Sequence, residues 1–113
     1  MVETLKPAAA AQLLSSSPGS IDVIDVRDER EWQAGHLPNA RLVPLDTFRA
    51  DPEKAVARDH AVLFVCAKGV RSLSAAKLAE RLGYAQIYSL DGGTKEWAKA
   101  GLPLVTDAIA TAA

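Results

Sequence analysis

A chain of 113 residues, 49% hydrophobic and 24% charged, has the length and composition of one globular domain with a buried core. Its 13 basic and 14 acidic side chains give a formal net charge of -1, so nothing draws the whole molecule to nucleic acid or to an anionic membrane, and any attraction for anions has to be local. No apolar run is long enough to span a bilayer, the N-terminus lacks the basic start of a secretory signal, and a single cysteine excludes a disulfide framework; the expectation is a cytoplasmic protein.

Pro7 suits a first helical position, and Ala10, Leu13 and Leu14 predict a short amphipathic helix that ends in the turn at residues 15–20. Ile21 to Val26 reads as a strand whose polar residues gather at its C-terminal end, in Asp25-Val26-Arg27-Asp28. Asp28 and Glu31 resemble a capping box that opens a short helix carrying Trp32 and closing at Gly35. Residues 36–40 form a turn, followed by a short strand over 41–43. Asp46 is a candidate cap for a turn of helix through Phe48, and Asp51-Pro52 for a second helix over 53–57.

Residues 60–83 are the centre of the chain. Ala61 to Val65 is an apolar run with no alternation, as expected of a strand covered on both faces in a parallel sheet. Cys66, the only cysteine, stands where that strand stops, and a six-residue loop (Cys66-Ala67-Lys68-Gly69-Val70-Arg71) leads to a helix starting near Ser72. Ala75, Leu78, Ala79 and Leu82 give this helix an apolar face, and Gly83 ends it. A further strand over 86–90 ends in Asp91-Gly92-Gly93, and a last helix over 94–99 carries Trp97 and stops at Gly101, with Pro103 beyond. Residues 106–113 show no periodic pattern and are expected to fray, which puts the ordered core of a single domain at about residues 5–105.

Strands alternating with helices predict an α/β domain, a mainly parallel sheet with helices on both faces. Ligands of such sheets bind at the carboxyl ends of strands. The end of the first strand, the Cys66 loop and Asp91-Gly92-Gly93 would then share one edge.

A thiol between a strand's end and a helix's start meets unpaired amides and the positive end of the helix dipole. With Lys68 and Arg71 close in sequence, the Cys66 thiolate is expected below the ordinary cysteine pKa of about 8.5. A lone cysteine is ordinarily a small buried hydrophobe, but this setting favours a reactive one. Arg71 is the stronger candidate for contact with an anion, and Lys68 the weaker. Trp32 and Trp97 are expected in the core, and neither His36 nor His60 is assigned a catalytic role. Asp25, Arg27, Glu31 and Asp91 are candidates for an ion-pair network that braces the site, Asp25 and Arg27 above the others. Neither metal-ligand spacing nor a nucleotide loop is present, so no metal or cofactor is expected.

In order along the chain, Asp25-Val26-Arg27, Glu31-Trp32, Gly35-His36-Leu37-Pro38-Asn39-Ala40, Cys66-Ala67-Lys68-Gly69-Val70-Arg71-Ser72, Asp91-Gly92-Gly93 with Trp97, and Gly101-Leu102-Pro103 resemble a single-domain rhodanese. The resemblance runs from about Leu5 to Val105. It implies a rhodanese-like three-layer fold and sulfur transfer through a persulfide on Cys66. It also implies that the loop from Ala67 to Ser72 holds a small anionic donor such as thiosulfate, with Asp25, Arg27 and Glu31 in support. Cyanide, a thiol or a protein thiol would accept the sulfur; neither nucleic acid nor a membrane is an expected partner. Ala67 departs from relatives with a basic residue at that point, and Lys68 argues against the mercaptopyruvate-using branch.

Three other readings are open at this stage. A cysteine phosphatase or arsenate reductase also cradles an anion around a thiolate, but its loop resembles C-x5-R, whereas Cys66 to Arg71 is C-x4-R. A binding module without chemistry would have no need of Cys66. A persulfide carrier fed by a partner protein would use the same cysteine with a different donor.

Overall fold

A computed structural model describes residues 1–106. Five strands, β1 (Val2–Leu5), β2 (Ile21–Asp25), β3 (Arg41–Leu42), β4 (Ala61–Val65) and β5 (Ile87–Leu90), form one sheet in the order β1-β5-β4-β2-β3, and every neighbouring pair is parallel. The helices are α1 (Pro7–Ser16), α2 (Glu29–Ala34), α3 (Leu45–Ala50), α4 (Pro52–Ala55), α5 (Val70–Arg81) and α6 (Gly93–Lys99).

β4 explains the layering. It is paired on both sides, to β2 and β5, and its side chains alternate between two cores. Val62 and Phe64 join Phe48, Ala75, Ala76 and Ala79 beneath α3 and α5; Leu63 and Val65 join Ala10, Leu90 and Trp97 beneath α1 and α6. Both faces are dry, which is why the strand reads as an unbroken apolar run. The expected three-layer α/β arrangement is therefore the observed one.

The chain runs outward from β2 to β3, then returns to place β4 on the other side of β2. The direction of winding reverses between β2 and β4, and a crevice opens outside the carboxyl ends of strands at such a switch point. Asp25 ends β2 and Cys66 follows β4, so both lie at the carboxyl end of the sheet.

Local details differ from the expectations. β1 has no signature in the sequence: its four residues carry only two half-buried side chains, and what makes them a strand is pairing with β5 (Val2 opposite Ile87, Leu5 opposite Leu90). Helix α5 starts at Val70, two residues before the expected Ser72, because Gly69 takes a left-handed conformation (φ +98°) and turns the chain at once, so the loop holds four residues rather than six. Neither Asp46 nor Asp51 caps a helix through its side chain; Pro44 holds the N-cap position of α3, and α4 ends at Ala55. The Asp28–Glu31 capping box is present with both reciprocal bonds, and Gly35 ends α2. Of the expected frayed tail, residues 107–113 lie outside the described residues.

Candidate active site

Cys66 is 1% exposed and is the first residue beyond β4. The left-handed turn at Gly69 brings its amide back to the sulfur, and Gly69 N–H donates to Cys66 Sγ at 3.1 Å. Ser72, in the first turn of α5 and wholly buried, has its Oγ 3.4 Å from the sulfur. Burial by itself pushes the thiol pKa up and is the largest single influence. The Ser72 hydroxyl and the amides of Ser72, Gly69 and Lys68 together outweigh it, so the pKa lies below its ordinary value. Most of the stabilisation of the thiolate is thus hydrogen bonding from a strand-to-helix turn.

The loop is held from behind by α6. Thr94 N–H donates to Cys66 O at 2.8 Å and Lys95 N–H to Ala67 O at 3.1 Å. Two glycines make this approach feasible. A Cβ at Gly93 would stand 2.2 Å from Cys66 O, and one at Gly69 would stand 3.1 Å from Gly92 N. The Asp91-Gly92-Gly93 motif is therefore a backbone-to-backbone seat for the cysteine loop. The Asp91 side chain is exposed and makes no ion pair among the described residues; its backbone N–H donates to Leu5 O at 2.8 Å.

Asp25 and Arg27 form a buried pair: Arg27 Nε and Nη2 donate to the carboxylate at 2.9 and 2.8 Å, and Nη2 also donates to Gly35 O at 2.7 Å. The end of β2 is thereby tied to the end of α2, which fixes one wall of the crevice. Arg71 is also occupied. Its guanidinium meets Glu31 through two parallel bonds of 2.8 Å, and the bonds from Arg71 hold the Glu31 carboxyl down from 4.5 to about 2. Lys68 is exposed with no ion pair among the described residues, Ala67 is half-buried, and Val70 stands 73% exposed at the rim.

The two histidines sit on other elements than the Cys66 loop. His36 is buried, stacked on Trp32 with ring centroids 3.4 Å apart, and its Nδ1 lies 2.9 Å from Trp32 O. His60 is exposed just before β4, at the opposite end of that strand from Cys66. Trp32 and Trp97 are both core residues. Among the described residues no group of three His, Cys, Asp or Glu side chains comes together to hold a metal, and no helix is long and apolar enough to cross a membrane.

A cleft of about 200 Å³ lies at the carboxyl ends of β2 and β3, lined by Arg27, Asp28, Asp46 and Arg71 among others. A larger surface groove of about 640 Å³ runs past Arg49, Lys77 and Arg81, but no residue of the Cys66 loop lines it. One member of the site is not flagged by sequence motifs. Ser89, buried in β5, has its Oγ 3.0 Å from Ser72 Oγ; the only signal for it is a hydroxyl in an otherwise apolar central strand.

Comparison with known proteins agrees with this geometry. A "tRNA uridine(34) hydroxylase" of Cronobacter sakazakii is 31% identical over 106 residues, which cover 86% of this chain and 30% of that protein. The chain thus spans under a third of the length of such curated relatives. Among solved structures, a rhodanese-related protein from Thermoplasma volcanium superposes with a TM-score of 0.82 at 27% identity, covering 93% of this chain and 99% of that one. A protein from Rhodopseudomonas palustris titled "Possible Tyrosine Phosphatase" gives 0.83 at 30% identity, covering 92% and 85%. A thiosulfate sulfurtransferase from Pseudomonas aeruginosa gives 0.78 at 25% identity, covering 93% of this chain and 19% of that one. The family model described as a rhodanese-like domain matches residues 7–100, the whole span from α1 through α6 that builds the Cys66 cradle, and the chain belongs to that family.

Proposed function

We propose that this rhodanese-like domain is a sulfurtransferase that carries sulfane sulfur on Cys66. The observation that carries the reading is a buried thiol whose ionised form is held by the Gly69 amide and the Ser72 hydroxyl, with both histidines elsewhere. A thiol whose hydrogen bonds favour the anion depends less on a general base than an ordinary cysteine does. The thiolate attacks the outer sulfur of thiosulfate; the S–S bond of the donor breaks, sulfite leaves with the electron pair, and Cys66 retains a persulfide anion. The loop amides that favour the thiolate then hold the persulfide's charge. Cyanide or a thiolate attacks the outer sulfur in turn, leaving as thiocyanate or as a new persulfide and returning the Cys66 thiolate. The kinetics are ping-pong.

Lys68, exposed and unpaired among the described residues, is the cation best placed to draw in a dianion. Arg71, the stronger candidate in the sequence, is shared with Glu31, so its pull on the donor is weakened, which favours a modest thiosulfate activity or a persulfide received from another protein. Acceptors are small thiophiles or protein thiols. A cytoplasmic setting goes with this reading, because a lone thiol has to remain reduced to work.

A second reading follows from the relatives whose names describe tRNA uridine hydroxylation: within a longer protein, Cys66 could serve that reaction instead. The phosphatase reading is disfavoured by the short Cys66-to-Gly69 loop before α5.

Intact-mass spectrometry tests the sulfurtransferase reading. The reduced protein is measured before and after thiosulfate, then after cyanide, with Cys66→Ser alongside. A gain of one sulfur atom on the wild type alone, lost to cyanide as thiocyanate, is the expected result. No gain from thiosulfate or from a protein persulfide would overturn the sulfurtransferase reading, and hydrolysis of an aryl phosphate would favour the phosphatase.

A further inference from the structure

Ser89 lies in β5, opposite Phe64 of β4 on one side and Thr4 of β1 on the other. Its side chain shares the face of Ile87, whose side chain belongs to the core beneath α5, and there its Oγ meets Ser72 Oγ at 3.0 Å. Ser72 Oγ in turn lies 3.4 Å from Cys66 Sγ. All three residues are at most 1% exposed, so water does not compete for these contacts. Two hydroxyls and a sulfur thus form a buried chain from the middle of one strand to the end of its neighbour.

The direction of that chain depends on the charge of the sulfur. A thiolate can only accept, so Ser72, which has a single hydrogen, must donate to it. Ser72 then meets Ser89 as an acceptor, and Ser89 must be the donor. In the neutral thiol the sulfur carries the hydrogen and points it at Ser72 Oγ. With Ser89 donating, a neutral thiol would fill the second acceptor position of Ser72 Oγ and leave the Ser72 hydrogen without the sulfur as its acceptor, whereas the thiolate takes that hydrogen. We propose that Ser89 is a positioning residue that, by donating to Ser72, orients the Ser72 hydroxyl toward Cys66 and so favours the reactive thiolate.

The inference rests on Cys66 acting as a thiolate nucleophile, not on which molecule supplies the sulfur. Its test therefore needs no sulfur donor. The rate of Cys66 alkylation by iodoacetamide is measured across pH for wild type, Ser89→Ala, Ser72→Ala and the double variant. The thiolate ultraviolet band is followed over the same range, and thermal melts report the fold.

Losing the orienting bond in Ser89→Ala lowers the neutral-pH rate by roughly two- to five-fold and moves the rising limb to higher pH, as expected when one member of a hydrogen-bonded chain is removed. Ser72→Ala, which removes the direct bond to the anion, lowers the rate by about ten-fold or more. The double variant matches Ser72→Ala, because Ser89 acts through Ser72. A Ser89→Ala profile that superimposes on wild type would overturn the inference. So would an undiminished effect of Ser89→Ala in the Ser72→Ala background, since that would mark a general packing effect. A protein that alkylates as described yet accepts no sulfur would overturn the proposed function and leave this inference standing.

Discussion

Gly93→Ala is the substitution on which the seating of the cysteine loop can be judged. Gly93 has φ +62°, where an alanine costs about 1 to 2 kcal/mol. Its added methyl would also stand 2.2 Å from Cys66 O and 2.4 Å from Ala67 C, both backbone atoms that no rotamer change can move. Restoring ordinary contact requires the start of α6 to retreat by about 1 Å, a displacement that a close-packed interior resists. The retreat strains or breaks the bonds from Thr94 N–H to Cys66 O and from Lys95 N–H to Ala67 O, each worth about 1 kcal/mol net. Together these effects predict a loss of about 3 to 4 kcal/mol. Gly101 is the control: its φ of +79° is also left-handed, but nothing lies within 4 Å of an added methyl, so Gly101→Ala is expected to lose only about 1 to 2 kcal/mol. Urea denaturation of the two variants gives the comparison, and Cys66 alkylation in the folded Gly93→Ala protein reports the displaced loop through a slower rate. If Gly93→Ala is no less stable than Gly101→Ala, the close contact between α6 and the loop has been misjudged.

Asp25→Ala leaves the Arg27 guanidinium buried without its carboxylate and is expected to cost about 3 to 5 kcal/mol; a thermal or urea measurement below about 1 kcal/mol would show the pair to be dispensable. Glu31→Gln frees Arg71 from its bidentate partner, so the thiosulfate KM of the sulfur-transfer reaction is expected to fall, by roughly three-fold for one partly solvated charge; an unchanged KM would leave Arg71 without a part in donor binding. The same pair sets a pH window for stability. Because the folded Glu31 pKa is depressed from 4.5 to about 2, its contribution is present above pH 4.5 and is lost as pH falls toward 2. Solvent at the partly exposed pair limits that contribution to about 1 kcal/mol, so the stability gap between wild type and Glu31→Gln should close over this interval in acid titrations followed by circular dichroism. A gap that stayed constant would refute the assignment.

Where a feature is written in short-range chemistry, the sequence carries it. The β4 run, the stop at Cys66, the apolar face of α5 and the Asp28–Glu31 box each need only neighbours within a few residues, and each is present. β1 is different: Val-Glu-Thr-Leu has no pattern of its own and becomes a strand by pairing with residues some 85 positions away. The partner of Arg71 lies 40 residues upstream, so the motif suggests an anion-binding arginine while the fold gives it a carboxylate. Ser89 carries no motif at all, and its closeness to Ser72 follows from packing α5 against the sheet. The role of Gly93 is hidden for a related reason, since the motif Asp91-Gly92-Gly93 names the residues but not the carbonyls they approach.

The seat of the cysteine loop also sets an order of events during synthesis. Strand β4 and the Cys66 loop leave the ribosome before β5 and α6 do, yet Ser89 and the amides of Thr94 and Lys95 that anchor the loop belong to those later elements. A nascent chain halted after α5 therefore holds a thiol lacking the supports that seat its loop, and β1, the first strand to emerge, waits for β5 as its partner. The cradle of Cys66 is thus complete only once β5 has paired and α6 has docked.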